Sequence, residues 1–236
     1  AHIQETEAQW KTKKRLRHGD KRTQPLYTQK DAQASFPLFD AVPYEREFSP
    51  ADGLKVRLRD AGHILGAALV ELWIQENGTM SKLVFSGDLG RPSQLMMQDP
   101  SVVEEADILF LESTYGNRNH KNEDASLDEL AQAVAYSHER GEKVIIPAFA
   151  VERTQEMIYS FHLLHRSGRL PKDMPVFVDS PLAVAATEIF RRYERDFDAE
   201  AKALLARGED PLTLPGLRYT QNTQDSMNIN AVAGPA

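Results

Sequence analysis

The rhythm of apolar and polar positions changes twice along this chain. Residues 1 to 17 read as a helix, with Ile3, Trp10 and Leu16 as its apolar positions. From Gly19 to Pro50 the chain is loop-rich, interrupted by Pro25, Pro37, Pro43 and Pro50. Within that stretch Thr28 stands as an N-cap ahead of a short helix over Gln29–Ser35. From Leu54 the pattern turns to period two: Leu54-Lys55-Val56-Arg57-Leu58 alternates as a half-buried strand does. Ala67–Ile74 and Lys82–Phe85 predict two more strands, and Asn77-Gly78 between them is a strong hairpin signal. A short helix over Val102–Ala106 is expected to lead into Asp107–Leu111, an apolar strand of the core. The first half therefore predicts a mostly antiparallel sheet with helices beside it.

The second half alternates differently. Ser126–Arg140 predicts an amphipathic helix with Leu127, Leu130, Ala131 and Val134 on one face. Lys143–Phe149 reads as a buried strand and Glu152–His165 as a helix whose Phe and Leu stripe is core. Pro175–Val178 is a further strand, followed by a helix over Ala183–Arg195. Helix and strand alternating at this spacing imply βαβ units and a parallel sheet. The polar run Asn119–Asp124 is the natural boundary, dividing the chain into 1–120 and 121–236. After Asp210 the pattern dissolves into Pro, Gly, Thr and Gln, and no internal repeat appears.

Composition narrows the chemistry. With no cysteine, there is no disulfide framework and no thiolate zinc site, so any metal must be held by His, Asp or Glu. No apolar run approaches the roughly 18 residues that span a bilayer. The first residues also lack the pattern of a signal peptide, so no membrane role and a cytoplasmic location are expected. The net charge of −7 argues against nucleic acid as a global quantity, yet the distribution is uneven. Lys11, Lys13, Lys14, Arg15, Arg17, Lys21 and Arg22 crowd the first tenth of the chain. That cluster reads either as a phosphate-gripping patch or as the solvated face of a helix.

The candidate chemistry lies between Asp60 and Arg118, where polar residues beside glycine repeatedly follow apolar strand-like runs. His63 follows Asp60-Ala61-Gly62, with Gly62 and Gly66 allowing the close backbone approach of a crowded site. Alone, a histidine there reads equally as a structural residue. Asp88 sits in Phe85-Ser86-Gly87-Asp88-Leu89-Gly90, placed to bridge two cations or simply to form a turn. Glu112 follows Ile108-Leu109-Phe110-Leu111 and would be costly to bury unpaired; its alternative is a helix cap. His162 and His165 lie one helical turn apart and read as a solvated helix face, and His120 and His138 are similar. Gly141–Phe149 carries no glycine-rich phosphate loop, so a nucleotide cofactor is not supported.

Order and spacing join these residues into a pattern. The chain resembles the β-CASP branch of the metallo-β-lactamase superfamily, the group containing the pre-mRNA 3′-end cleavage endonuclease and its bacterial and archaeal relatives. Asp60-Ala-Gly-His-Ile-Leu-Gly-Ala67 resembles that group's third metal motif, with His63 as ligand. Phe85-Ser-Gly-Asp-Leu-Gly90 resembles the fourth, with Asp88 bridging. Leu111-Glu-Ser-Thr-Tyr-Gly-Asn-Arg118 is similar to motif A, with Glu112 as its acid. Val144–Phe149 through Arg153-Thr154-Gln155-Glu156, and Asp179-Ser180-Pro181-Leu182-Ala183, resemble segments of the inserted β-CASP domain. The implied fold is α/β: part of an αββα metallo-β-lactamase domain over 1–120 and part of a Rossmann-like β-CASP domain over 121–236.

The implied activity is zinc-dependent hydrolysis of RNA phosphodiester bonds, with single-stranded RNA as the partner and a homodimer compatible with it. Asp88 would hold two zinc ions and lower the pKa of a bridging water. Glu112 would act by orienting a histidine, and Tyr115, Arg118 and Arg153 would touch substrate phosphates. For each of those three, an ordinary surface contact is the competing reading. The superfamily's His-x-His-x-Asp-His cluster and its closing histidines are absent, so the chain reads as the middle of a longer enzyme. Of the ligand set only His63 and Asp88 remain, and this segment alone is expected to bind zinc weakly or not at all and to be inactive. Glu152 also departs, standing where members of the group often have glycine. Alternatives are a non-catalytic RNA-binding or scaffold paralogue, a DNA-directed β-CASP nuclease, and a small-molecule hydrolase such as a thioesterase, against which the inserted domain argues. The reading stands on positions 63 and 88 facing one site.

Overall fold

The computed structural model describes residues 1–16, 22–119, 122–172, 174–232 and 234–235. Arg17, Lys21 and His120 lie outside these residues, as do the side chains of Arg15 and Leu16. The described chain forms two compact units, Ala1–Pro43 and Tyr44–Ala236.

The first unit is built on α1 (His2–Leu16) and α2 (Gln29–Ser35). Thr28 caps α2 as the sequence predicts: its hydroxyl accepts from the Asp31 amide while the Asp31 carboxylate accepts from the Thr28 amide. The Glu5 carboxylate on α1 takes both the backbone and side-chain amides of Gln29, which pins α2 to α1. The expected apolar face of α1 is not buried. Ile3 is 72% and Trp10 61% exposed, and Ala8 is the residue that packs inward. A helix this polar has no wide apolar stripe to offer, so Trp10 instead lies beside Lys14, whose Nζ sits 5.4 Å from the ring centroid.

The second unit opens with a sheet in the order β1 (Glu47–Phe48), β2 (Leu54–Asp60), β3 (Ala68–Glu76), β4 (Thr79–Phe85) and β5 (Ile108–Phe110). The first four are antiparallel and β5 joins β4 in parallel. Asn77 and Gly78 both adopt positive φ, 50° and 80°, which is the primed turn that the right-handed twist of a hairpin needs. One face of β2–β4 carries the buried Glu71, whose carboxylate binds Arg57 Nε at 2.6 Å and Lys82 Nζ at 2.7 Å. These two cations outweigh the burial of the acid and hold its pKa below the usual carboxylate range.

The helical half follows: α3 (Glu123–Glu139), α4 (Arg153–Arg166), β6 (Val176–Val178), α5 (Pro181–Arg192), α6 (Ala199–Leu205), β7 (Leu217–Tyr219) and α7 (Thr223–Ala231). β6 and β7 pair in parallel, joined through α5 and α6, so the expected βαβ arrangement is present as one parallel pair. The core runs through Val134, Ile158, Tyr159, Phe161, Phe190, Phe197, Leu204 and Leu212. Leu95, Met96 and Met97, from the loop after β4, insert into that same core. Asp198 fastens them, since its carboxylate accepts the Met96 amide and also caps α6.

Several expectations fail here. No helix forms over 102–106; the Val102 carbonyl is taken by Arg59 and the Ser101 amide by the Asp60 carbonyl, so this backbone is drawn along β2 instead. Strand β5 is short and lies at the sheet edge with Ile108, Leu109 and Phe110 exposed, not in a core. Residues 143–149 form no strand, and Ile145 and Phe149 are 88% and 85% exposed. Pro147 removes a donor from the middle of that run, and β6 makes its ladder with β7. The helix expected to end at Arg195 stops at Arg192, α6 is an additional helix before Asp210, and β7 and α7 arise beyond Asp210, where the pattern looked irregular. His162 is not a solvated residue, because Nδ1 lies 2.7 Å from the Thr213 carbonyl and Nε2 is buried.

Phe190 is fully buried in this core, and Phe190→Ala leaves a cavity that neighbours close only in part. The substitution is expected to lower stability by about 3–5 kcal/mol, read as a fall in the urea midpoint at unchanged slope.

Candidate functional site

Three loops meet at one end of the five-stranded sheet. Because β2, β4 and β5 all finish at that end, the residues that follow them (61–67, 86–90 and 111–118) emerge side by side. The first two loops are joined directly: the Gly90 amide donates to the Ala61 carbonyl at 2.9 Å. This contact is as close as backbone allows. A Cβ placed on Gly90 would overlap the Gly62 carbonyl, and one on Gly62 would lie 2.6 Å from the Gln98 carbonyl oxygen and Pro100 nitrogen. Gly66 has no such neighbour within 4 Å; its φ of +88° is what calls for glycine there.

Local hydrogen bonds shape each loop. Asp60 Oδ1 accepts the Gly62 amide, an Asx turn that launches residues 61–67, and its burial pushes its pKa up. His63 is half-buried, with its carbonyl accepting from Gln94 Nε2 at 3.2 Å. Asp88 is exposed at the tip of the second loop. Ser86, almost fully buried, ties the second loop to the third: its amide donates to the Phe110 carbonyl and its hydroxyl accepts the Glu112 amide.

Glu112 is the acid most firmly held. Its Oε1 accepts the Leu89 amide, one residue from Asp88, and the Thr114 hydroxyl and amide add further bonds. The Leu89 amide first, then Thr114 and the charge of His63, hold its pKa below the usual carboxylate range against the opposing effect of burial. His63, Asp88 and Glu112 are thus on apposed loops, with the first and third close enough to interact electrostatically. Tyr115 adopts φ of +56° in a tight turn, closed by the Gly116 amide on the Ser113 carbonyl and the Arg118 amide on the Tyr115 carbonyl. The Arg118 guanidinium lies 4.2 Å from the Tyr115 ring centroid, so these two exposed side chains form one stacked pair. Arg153 is engaged elsewhere: its Nη1 binds Glu156 Oε2 at 2.6 Å. Among the described residues no three of His, Asp and Glu are grouped so as to hold a metal ion.

Sequence reasoning noted Glu152 only as a departure from pattern. In the structure it is 5% exposed, with Oε2 accepting the Leu65 amide at 3.3 Å and Oε1 buried without a partner. Burial, then the neighbouring Glu156, raise its pKa from 4.5 to about 8. Glu156 is itself buried and shifted upward by that burial, with Arg153 and Arg91 opposing.

Comparison with known proteins places these features. Residues 154–236 match the family model of the Beta-Casp domain. A ribonuclease of Thermus thermophilus is 32% identical over 213 residues, covering 90% of this chain and 47% of that protein. The transcription termination factor FttA of Thermococcus kodakarensis is 28% identical over 218 residues, covering 90% of this chain and 33% of that protein. The endoribonuclease YSH1 of Eremothecium gossypii is 25% identical over 205 residues, covering 85% of this chain and 26% of that protein. Residues 154–236 carry the Beta-Casp match, and together with these relatives it supports a member of the β-CASP nuclease family, within a mixed α/β fold. It spans about half the length of the Thermus relative and a quarter to a third of the other two.

Two predictions come from this geometry. Gly90→Ala forces the first two loops apart, so the amides of Gly62–Gly66 are expected to lose hydrogen-exchange protection while those of α5 keep theirs. For Glu152, the unfolded chain ionises near 4.5 and the folded chain near 8, so between those values the folded state binds the extra proton. Stability contributed by that group therefore falls as pH rises from about 4.5 to 8. Glu152→Gln has no proton to lose. Its stability relative to the unaltered chain is expected to climb across that window by on the order of a few kcal/mol, measured by denaturant unfolding at a series of pH values.

Proposed function

We propose that this chain is the central part of a β-CASP ribonuclease of the metallo-β-lactamase fold, hydrolysing phosphodiester bonds of single-stranded RNA in the cytoplasm. The observation that carries this is the apposition of loops 61–67, 86–90 and 111–118 at one sheet end, with Glu112 bonded to the loop of Asp88. Residues 1–120 would belong to the metallo-β-lactamase portion and residues 121–236 to the β-CASP portion. Relatives named as ribonucleases support RNA as the substrate.

The donors of this chain do not by themselves fit a two-zinc centre. His63 and Asp88 are two groups where each zinc takes three or more protein donors, and Glu112 is already committed to the Leu89 and Thr114 amides. Under this reading the remaining donors come from sequence outside these residues. What this chain contributes is position and charge. Glu112, ionised at neutral pH, offers a fixed carboxylate that can orient a neighbouring imidazole. Tyr115 and Arg118 present an aromatic face and a fork of N–H donors suited to a base and its phosphate. Arg153 reaches phosphate only by leaving Glu156, so it is the weakest of the three assignments.

The decisive experiment uses the longer protein with its flanking sequence. Asp88→Ala is expected to reduce cleavage of a labelled single-stranded RNA to background while the far-UV circular dichroism stays unchanged. Cleavage near the unaltered rate removes Asp88 from the centre. RNA binding without cleavage by the unaltered protein favours instead a non-catalytic member of the same fold.

A further inference from the structure

Glu152 occupies a backbone conformation that a glutamate should avoid. Its φ of 67° and ψ of −66°, with the Arg153 amide donating to the Val151 carbonyl at 3.0 Å, define a γ-turn of the rarer hand. Such a residue is strained, and glycine would relieve it. The usual compensation is missing as well. Glu152 stands at the N-cap of α4, where an acid ordinarily accepts the first free helix amides, yet its side chain caps nothing. Instead the carboxyl turns away from its own helix and into loop 61–67, where Oε2 meets the Leu65 amide. Its other oxygen is buried with no partner. Strain, burial and an unfilled polar valence all sit on one residue, and a single contact accounts for them.

We propose that Glu152 is a positioning residue that pins loop 61–67, and with it His63, to the start of α4. The charged and titratable groups around it are Glu156, which disfavours its ionisation, and Arg153, which favours it. The Arg153–Glu156 ion pair keeps both of those groups beside the turn. Loop 61–67 is otherwise held by the Gly90 amide on the Ala61 carbonyl, the Ala61 amide on the Ala67 carbonyl and Gln94 Nε2 on the His63 carbonyl. The Glu152 contact adds a hold at Leu65, from the start of α4. The contact stands on geometry alone; its meaning as placement of a metal donor rests on the proposed function.

The test is amide hydrogen exchange on the 236-residue chain, which needs neither metal nor activity and so fails separately from the nuclease reading. Glu152→Gly removes the strain and the acceptor together; Glu152→Gln keeps an acceptor oxygen of the same reach. In Glu152→Gly, Leu65 is expected to exchange about five-fold faster or more, while Ile158 in α4 is unchanged and the melting temperature does not fall. In Glu152→Gln, Leu65 is expected to stay within about two-fold of the unaltered chain. A general loss of α4 stability would move Ile158 too and would not be rescued by glutamine. Any other pattern across the three chains overturns the proposal.

Discussion

The site depends on one close backbone contact, the Gly90 amide on the Ala61 carbonyl. Strands β2 and β4 are not neighbours, since β3 runs between them, and their following loops would diverge without a bond across the sheet end. That bond needs Gly90 to lack a side chain, because a Cβ there would overlap the Gly62 carbonyl, while Gly62 leaves room for the backbone of Gln98 and Pro100. A glycine that looks like loop punctuation therefore lets distant strand ends share a site. The Met96 bond to Asp198 continues the same path, so the loop that begins at Asp88 ends inside the helical core.

Around that contact the hydrogen bonds run in sequence. Ser86 links β4 to β5, Glu112 reaches back to Leu89, and Leu89 lies beside Gly90. Each link uses a backbone amide that strand geometry has left without a partner at the sheet end. A short hydroxyl and a carboxylate are the side chains that can reach such amides without a long flexible stem. The identity of these residues follows from that need before any chemistry is assigned to them.

Much of this was legible in the sequence, because the signals were local. Thr28 with Asp31, Asn77 with Gly78, and the period-two run from Leu54 each fix a conformation through neighbours within a few residues. The motifs around His63, Asp88 and Glu112 were legible for the same reason. Failures came where the outcome depends on distant partners. Val144–Phe149 has the composition of a buried strand but becomes one only if another strand accepts its hydrogen bonds. The tail beyond Asp210 looks irregular, yet Leu217–Tyr219 gains its ladder from β6, far back in the chain. Glu152 shows the limit most clearly: a glutamate where the group often has glycine was visible, whereas its positive φ and the loop its carboxyl reaches, 87 residues earlier, were not.

The two glutamates nearest the site sit in opposite electrostatic conditions, and the contrast follows from solvent and donors alone. Glu112 faces water and collects amide donors, which favour its charge. Glu152 has one long amide contact, no solvent and a second acid beside it, which favour its proton. At neutral pH the sheet end therefore carries a charged carboxylate against the Asp88 loop and a neutral carboxyl against the His63 loop. A second full charge at Glu152 would be buried, and Arg153, the cation that favours its ionisation, is already paired with Glu156. Keeping that carboxyl neutral lets the start of α4 approach the loop at Leu65 without bringing a second negative charge there.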